Sequence, residues 1–211
     1  LIDWTLTVTK PARLTADTAV DSLTHAIESY VSRKSFPYTD AFALSAMPLI
    51  TAHVKRAYSD PSDAEAREAL MLAASQAGMA FSNASVALVH GMSRPIGAHF
   101  HVAHGLSNAM LLPAVTAFSV EAATQRYADC ARVMKMASES DTDVTACAKL
   151  VDGLRKLNQD LAVPSPSDLG HQADETMFLL MAEQALASGS PANNPRIPTA
   201  EEIIGLYKAA W

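Results

Sequence analysis

Glycine is too rare in this chain, and period-2 alternation too scarce, for a sheet. Only eight glycines fall in 211 residues, and long stretches between breaks are rich in Ala, Leu, Met, Glu and Gln, the residues that lose least on entering a helix. The one strand-like alternation runs from Trp4 to Thr9, ahead of Pro11. The sequence therefore predicts an all-α, multi-helix bundle. Residues 1–211 are expected to form a single helical domain, with 1–13 as an extended leading segment.

A first helix is predicted from Thr15, Ala16 and Asp17, whose hydroxyl and carboxylate can cap it, to about Arg33 and Lys34. Val20, Leu23, Thr24, Ile27 and Val31 fall on one face of it. Further helices are expected at about 39–58, with a kink at Pro48, and at 62–83, where Ser62 and Glu65 resemble a capping box. Others follow at about 85–97, 105–118, 121–138, 142–161, 167–187 and 199–210.

Composition removes several function classes. With 49% hydrophobic and 18% charged residues the chain is not disordered. Charged residues or His interrupt every apolar run before the roughly 20 residues of a membrane span, so no membrane partner is expected. A net charge of -6 and a pI near 5.6 oppose binding to nucleic acid. No GxGxxG or GxxxxGK[ST] follows a strand, so the chain carries no phosphate-cradling loop for a dinucleotide. Cys130 and Cys147 have no CxxC spacing and read as reduced core residues, and LIDWTLTVTK lacks the features of a signal peptide. A reducing, cytoplasmic compartment is the expectation.

Histidine carries the functional signal. Four of the seven, His90, His99, His101 and His104, crowd into LVHGMSRPIGAHFHVAHGLSNA. Several imidazoles plus a carboxylate make the donor set of a catalytic divalent metal. The best carboxylate partner is Asp21, which with His25 lies one turn apart on one helix face in AVDSLTHAIESY.

The runs TADTAVDSLTHAIESYVS, AGMAFSNASVALVHGMSRPIGAHFHVAHGLSNAMLLP and NNPRIPTAEEIIGLYKAAW resemble the metal-binding half of the iron-containing alcohol dehydrogenases. The resemblance covers nearly the whole chain. It implies a dehydroquinate synthase-like C-terminal helical domain, with an α/β domain for NAD or NADP ahead of residue 1 and absent from this sequence. Residue by residue, it assigns Asp21, His25, His90 and His104 as metal ligands. Fe2+ is the family's expectation, while the donor types also suit Zn2+ and Ni2+. The activity implied is NAD(P)-linked oxidation of an alcohol or reduction of an aldehyde or ketone, the metal polarising the oxygen, in a homo-oligomer, a dimer by expectation. The 211 residues alone are expected to be inactive.

Two positions depart from the family pattern. Arg94 stands where a further histidine is common, and Ala103 where a proline often precedes the last ligand. One turn from His90, Arg94 is a candidate for a carboxylate or phosphate of substrate or cofactor, the alternative being a salt bridge to a nearby acid. His101, like His99, is a candidate proton relay or substrate-orienting group. His53 and His171 read as surface residues, and Met71, Met79, Met92 and Met110 as core filling. A ferritin-like di-iron bundle and an HD-type phosphohydrolase are excluded, because neither paired Glu-x-x-His nor His-Asp occurs. A non-catalytic helical module remains the alternative to an enzyme.

Overall fold

The computed structural model describes residues 1–211. It contains nine α-helices and no strand: α1 (Ala12–Val31), α2 (Pro37–Ser59), α3 (Ala64–Ala84), α4 (Leu88–Phe100), α5 (His104–Ser119), α6 (Thr124–Val133), α7 (Asp143–Asp160), α8 (Glu175–Ala187) and α9 (Ala200–Ala210). Helix α1 packs against α2, α3 and α5, and Ala16, Val20, Leu23, Ala26 and Ile27 along it are fully buried. A helix buried on most sides leaves little surface for polar residues, so its buried Asp17 and Glu28 must find partners.

Several boundaries differ from the sequence expectation for local chemical reasons. The leading segment is not extended: Asp3 accepts the Thr5 amide at 3.0 Å and caps a 3-10 turn over Trp4–Thr7. Helix α1 starts at Ala12, because Pro11 pre-sets the chain direction and its carbonyl takes the Thr15 amide. The Thr15 hydroxyl, expected to cap, instead accepts a hydrogen bond from Arg67, 52 residues away. Asp63, not Ser62, caps α3, since Ser62 is held by Asp60. Helix α6 stops at Val133, shortly before Lys135 takes a left-handed φ of 57°. The segment 167–174 forms turns, and α8 begins only after Asp174, which caps it through the Met177 amide.

The continuous helical stretch His104–Val133 is long and apolar enough to cross a membrane by length and composition, with a mean hydropathy of 1.3. Packing accounts for it: 61% of that window is buried inside the protein. Cys130 and Cys147 are both free and buried. Among the methionines expected in the core, Met92 and Met110 are buried and Met71 is half-buried, but Met79 lies 46% exposed on the outer face of α3.

The chain bends by 103° between α3 and α4. Ser85, at φ 66°, provides the turn, and Glu28 of α1 receives the far side of it. Its carboxylate accepts the amides of Ala87 at 2.9 Å and Val89 at 2.5 Å. These are among the donors that the start of a helix leaves without partners. Glu28 thus ties the first turn of α4, and with it His90, to α1.

Candidate metal centre

Asp21, His25, His90 and His104 come from three helices, yet each offers a ligand atom and these atoms all lie within 4.8 Å of one another. Asp21 Oδ1 is the hub, 3.4 Å from His90 Nε2, 3.6 Å from His104 Nε2 and 3.9 Å from His25 Nδ1. The His25 ring is stacked between Phe81, at 4.1 Å between centroids, and His90, at 4.4 Å. That sandwich fixes its orientation.

Two His-Gly pairs in the sequence acquire a reason here. A Cβ on Gly105, the residue after His104, would sit 2.5 Å from the Asp17 carbonyl oxygen and 3.3 Å from Asp21 Cβ. Only glycine lets the start of α5 come close enough to α1 to join its donor to the others. A Cβ on Gly91, after His90, would meet the Pro191 ring at 2.8 Å. This allows α4 to seat against the 3-10 turn Ser190–Asn193.

Behind the donors, His90 Nδ1 lies 2.6 Å from Glu28 Oε2, with both side chains almost wholly buried. Since Glu28 can only accept, Nδ1 carries the proton, and Nε2 faces Asp21. Asn108, one turn along α5 from His104, donates to Asp21 Oδ1 at 2.6 Å and lies 3.2 Å from both His90 Nε2 and His104 Nε2. Neither Glu28 nor Asn108 was singled out from the sequence. The available signal was spacing: Glu28 is i+7 from Asp21 and i+3 from His25, and Asn108 is i+4 from His104.

Proton affinities follow from this packing. Burial disfavours a charged His90, but its hydrogen bonds to Asp21 and Glu28 outweigh that and push it up to about 9. Burial, reinforced by the positive His90, drives His25 down to about 4. His104 is also lowered, by burial first and then by the charges of His90 and Arg94. Burial works against the Asp21 carboxylate, yet the hydrogen bond to His90 and the neighbouring His25 and His104 hold it below the usual range.

The donor chemistry fits a divalent cation. Three of the four atoms converge on one donor, the Asn108 amide, whose own Oδ1 is buried without a partner. The metal-free centre sets two carboxylates, Asp21 and Glu28, against one imidazolium. A dication replacing the His90 Nε2 proton brings that sum to zero. Access is one-sided: the His104 side chain is 51% exposed, whereas His90 is 3%.

Residues 15–211 match the model of the Fe-containing alcohol dehydrogenase family, C-terminal. The chain belongs to the iron-containing alcohol dehydrogenase family. It is 37% identical over 207 residues to a 1,3-propanediol dehydrogenase from Klebsiella pneumoniae, covering 98% of this chain and 53% of that protein. An NAD-dependent methanol dehydrogenase from Bacillus methanolicus is 35% identical over 211 residues, covering 100% and 55%. The crystal structure of a 1,3-propanediol oxidoreductase superposes with a TM-score of 0.95 at 37% identity, covering 99% of this chain and 55% of that one. The chain thus spans about half the length of the relatives it matches, and its all-helical architecture is that of the family's C-terminal domain.

The remaining sequence candidates separate by position. Arg94 is exposed and donates to Ser190 Oγ at 3.0 Å, and it makes no salt bridge, while its charge acts on His104. His101 is exposed at the left-handed C-cap of α4, outside the donor cluster. His99 is paired with Gln184 at 2.8 Å. His53 and His171 are half-buried rather than surface residues: His53 Nδ1 bonds the Leu49 carbonyl within α2, and His171 packs on Phe100.

Proposed function

We propose that Asp21, His25, His90 and His104 bind one divalent metal, with Fe2+ the expected occupant and Zn2+ or Ni2+ compatible. The whole protein then acts as an NAD(P)-linked alcohol dehydrogenase or aldehyde and ketone reductase. The observation that carries the reading is the convergence of four donor atoms within 4.8 Å in the pattern of a family of iron-containing alcohol dehydrogenases. A metal bound there supplies Lewis acidity toward an alcohol or carbonyl oxygen.

The chain's own residues do the rest. Glu28 keeps the proton on His90 Nδ1, so that Nε2, once it releases its own proton, presents its lone pair. Asn108 fixes one oxygen of Asp21, and Phe81 holds the His25 ring by stacking. His104, at the exposed edge, leaves an open side through which substrate and nicotinamide approach. Arg94, exposed and close enough for its charge to act on His104, is assigned to an anionic group of substrate or cofactor. A homodimer in the cytoplasm is part of the same reading and rests on the family resemblance.

Metal analysis tests the assignment. The purified chain should hold about one metal per chain after loading, and His90→Ala should lose it with the helical spectrum retained. Full metal retention in His90→Ala would refute the ligand set. The nine helices contain no strand–loop–helix unit for a pyrophosphate. The 211 residues alone should therefore load metal yet give no reduced nicotinamide from primary alcohols.

A further inference from the structure

A second polar pocket lies along α1 from Thr15 to Ser22. It has a volume of about 100 Å3, with Thr7, Lys10, Thr15, Thr18, Ser22 and Arg67 on its polar side and the apolar surface of α3 closing the rest. Two cations line it and no carboxylate does. Arg67 is only 3% exposed, and its partners are neutral: Nε donates to the Pro61 carbonyl at 3.1 Å and Nη1 to Thr15 Oγ1 at 2.8 Å. Its Nη2 is buried with no partner at all. Lys10 Nζ donates to Thr18 Oγ1 at 2.7 Å.

A buried guanidinium without a counter-charge is costly, and an ammonium beside it adds repulsion. The repulsion registers on Lys10, whose amine is lowered first by burial and then by Arg67. The hydroxyls are not equivalent. Thr18 and Ser22 spend their protons on the carbonyls of Leu14 and Thr18 within α1, whereas Thr15 Oγ1 accepts from Arg67 and keeps its own proton free.

We propose that this pocket binds a phosphate-type oxyanion, held by Lys10 and Arg67 with the Thr15 hydroxyl as a third donor. Two positive charges match a dianion, and charge-assisted hydrogen bonds of this kind are the strong ones. The site is independent of the metal centre and stands or falls separately. The phosphate is either free or part of a nucleotide cofactor, and the chemistry of recognition is the same.

The test uses the metal-stripped 211-residue chain, with thermal unfolding and calorimetry in sodium phosphate against sodium chloride of equal ionic strength. Phosphate should raise Tm where chloride does not, and Lys10→Gln should weaken phosphate about tenfold, the loss of one charge-assisted contact. Thr15→Val should weaken it as well. Arg67→Ala also loses the anchors to Pro61 and Thr15, so Lys10→Gln carries the test. His90→Ala should keep the phosphate response. NADP run alongside separates the sources: a shift at lower concentration than inorganic phosphate assigns the group to a cofactor, and a shift with inorganic phosphate alone assigns it to a free ion. The proposal is overturned if chloride or acetate matches phosphate, if Lys10→Gln and Thr15→Val both keep the wild-type response, or if His90→Ala abolishes it.

Discussion

Glu28 and His90, 62 residues apart in sequence, share a 2.6 Å hydrogen bond between Oε2 and Nδ1 in a pocket almost closed to water. The same carboxylate accepts the amides of Ala87 and Val89, so one side chain both starts α4 and aims the imidazole. Replacing it strips an outer partner from a metal ligand, which commonly lowers affinity 10–100-fold. Glu28→Gln is expected to weaken metal binding by about that factor in a chelator competition assay. Glu28→Ala should in addition destabilise the metal-free chain by about 3 kcal/mol or more in urea unfolding, because buried donors lose their acceptor. Wild-type metal affinity in both variants would remove Glu28 from the site.

The proton balance of metal uptake is fixed by the same contacts. At pH 7.5 His25, lowered to about 4, is already neutral, and His104 is lowered too. His90, raised to about 9, still carries both protons. Metal binding must therefore expel about one proton, and affinity should climb with pH until about 9 and then level. Calorimetry in buffers of different ionisation enthalpy reads the release directly. For stability of the metal-free chain the sign is opposite: a raised imidazole stabilises fully below its unfolded value near 6.5, and this is lost as pH rises through about 9.

Gly105 and Gly78 form a matched pair for testing why the helices meet. Gly105→Ala puts a Cβ 2.5 Å from the Asp17 carbonyl oxygen, so α5 must move away from α1 and carry His104 with it. A loss of about 1–3 kcal/mol together with weaker metal binding is expected. Gly78, inside α3, has nothing within 4 Å of the added carbon, and Gly78→Ala should stabilise by about 0.5–1 kcal/mol. Urea midpoints for the two variants decide it; equal shifts would deny the close approach.

The sequence made the helices and the four donors legible for different reasons. Helices were visible because apolar residues on α1 such as Val20, Leu23 and Ile27 repeat at helical spacing, and the four candidate donors because the runs that carry them resemble the iron-containing alcohol dehydrogenases. What stayed hidden was long-range and backbone-directed. Glu28 serves amides 59 and 61 residues away, and a backbone amide leaves no mark in a sequence. Thr15 looked like a cap because capping is judged locally, yet Arg67 takes its hydroxyl from across the fold. Helix α6 ended early where the left-handed Lys135 interrupted a pattern that composition alone would continue, and the cap of α3 moved to Asp63 because Asp60 holds Ser62.

Arg94 offers the sharpest test of substrate class. It departs from the family's usual histidine, and of the two readings open from the sequence, the salt bridge is not formed: its polar contact is the Ser190 hydroxyl at 3.0 Å. A guanidinium that is exposed and unpaired with any acid, with only Nη1 engaged by Ser190, keeps its Nε and Nη2 donors for an incoming anion. Its field already reaches the centre, since it is one of the charges that lower His104, after burial and His90. Arg94→Ala should therefore move the His104 titration upward in an NMR pH series, a readout that needs no catalysis. On the proposed activity, it should cut kcat/KM of the whole protein for carboxylated or phosphorylated aldehydes by about tenfold or more, roughly 1.4 kcal/mol, and leave neutral aldehydes nearly unchanged. Arg94→Lys restores charge without the planar fork, so partial recovery is expected. If neutral and anionic substrates fall equally in Arg94→Ala, the residue holds Ser190 and the 3-10 turn in place and does not read the substrate.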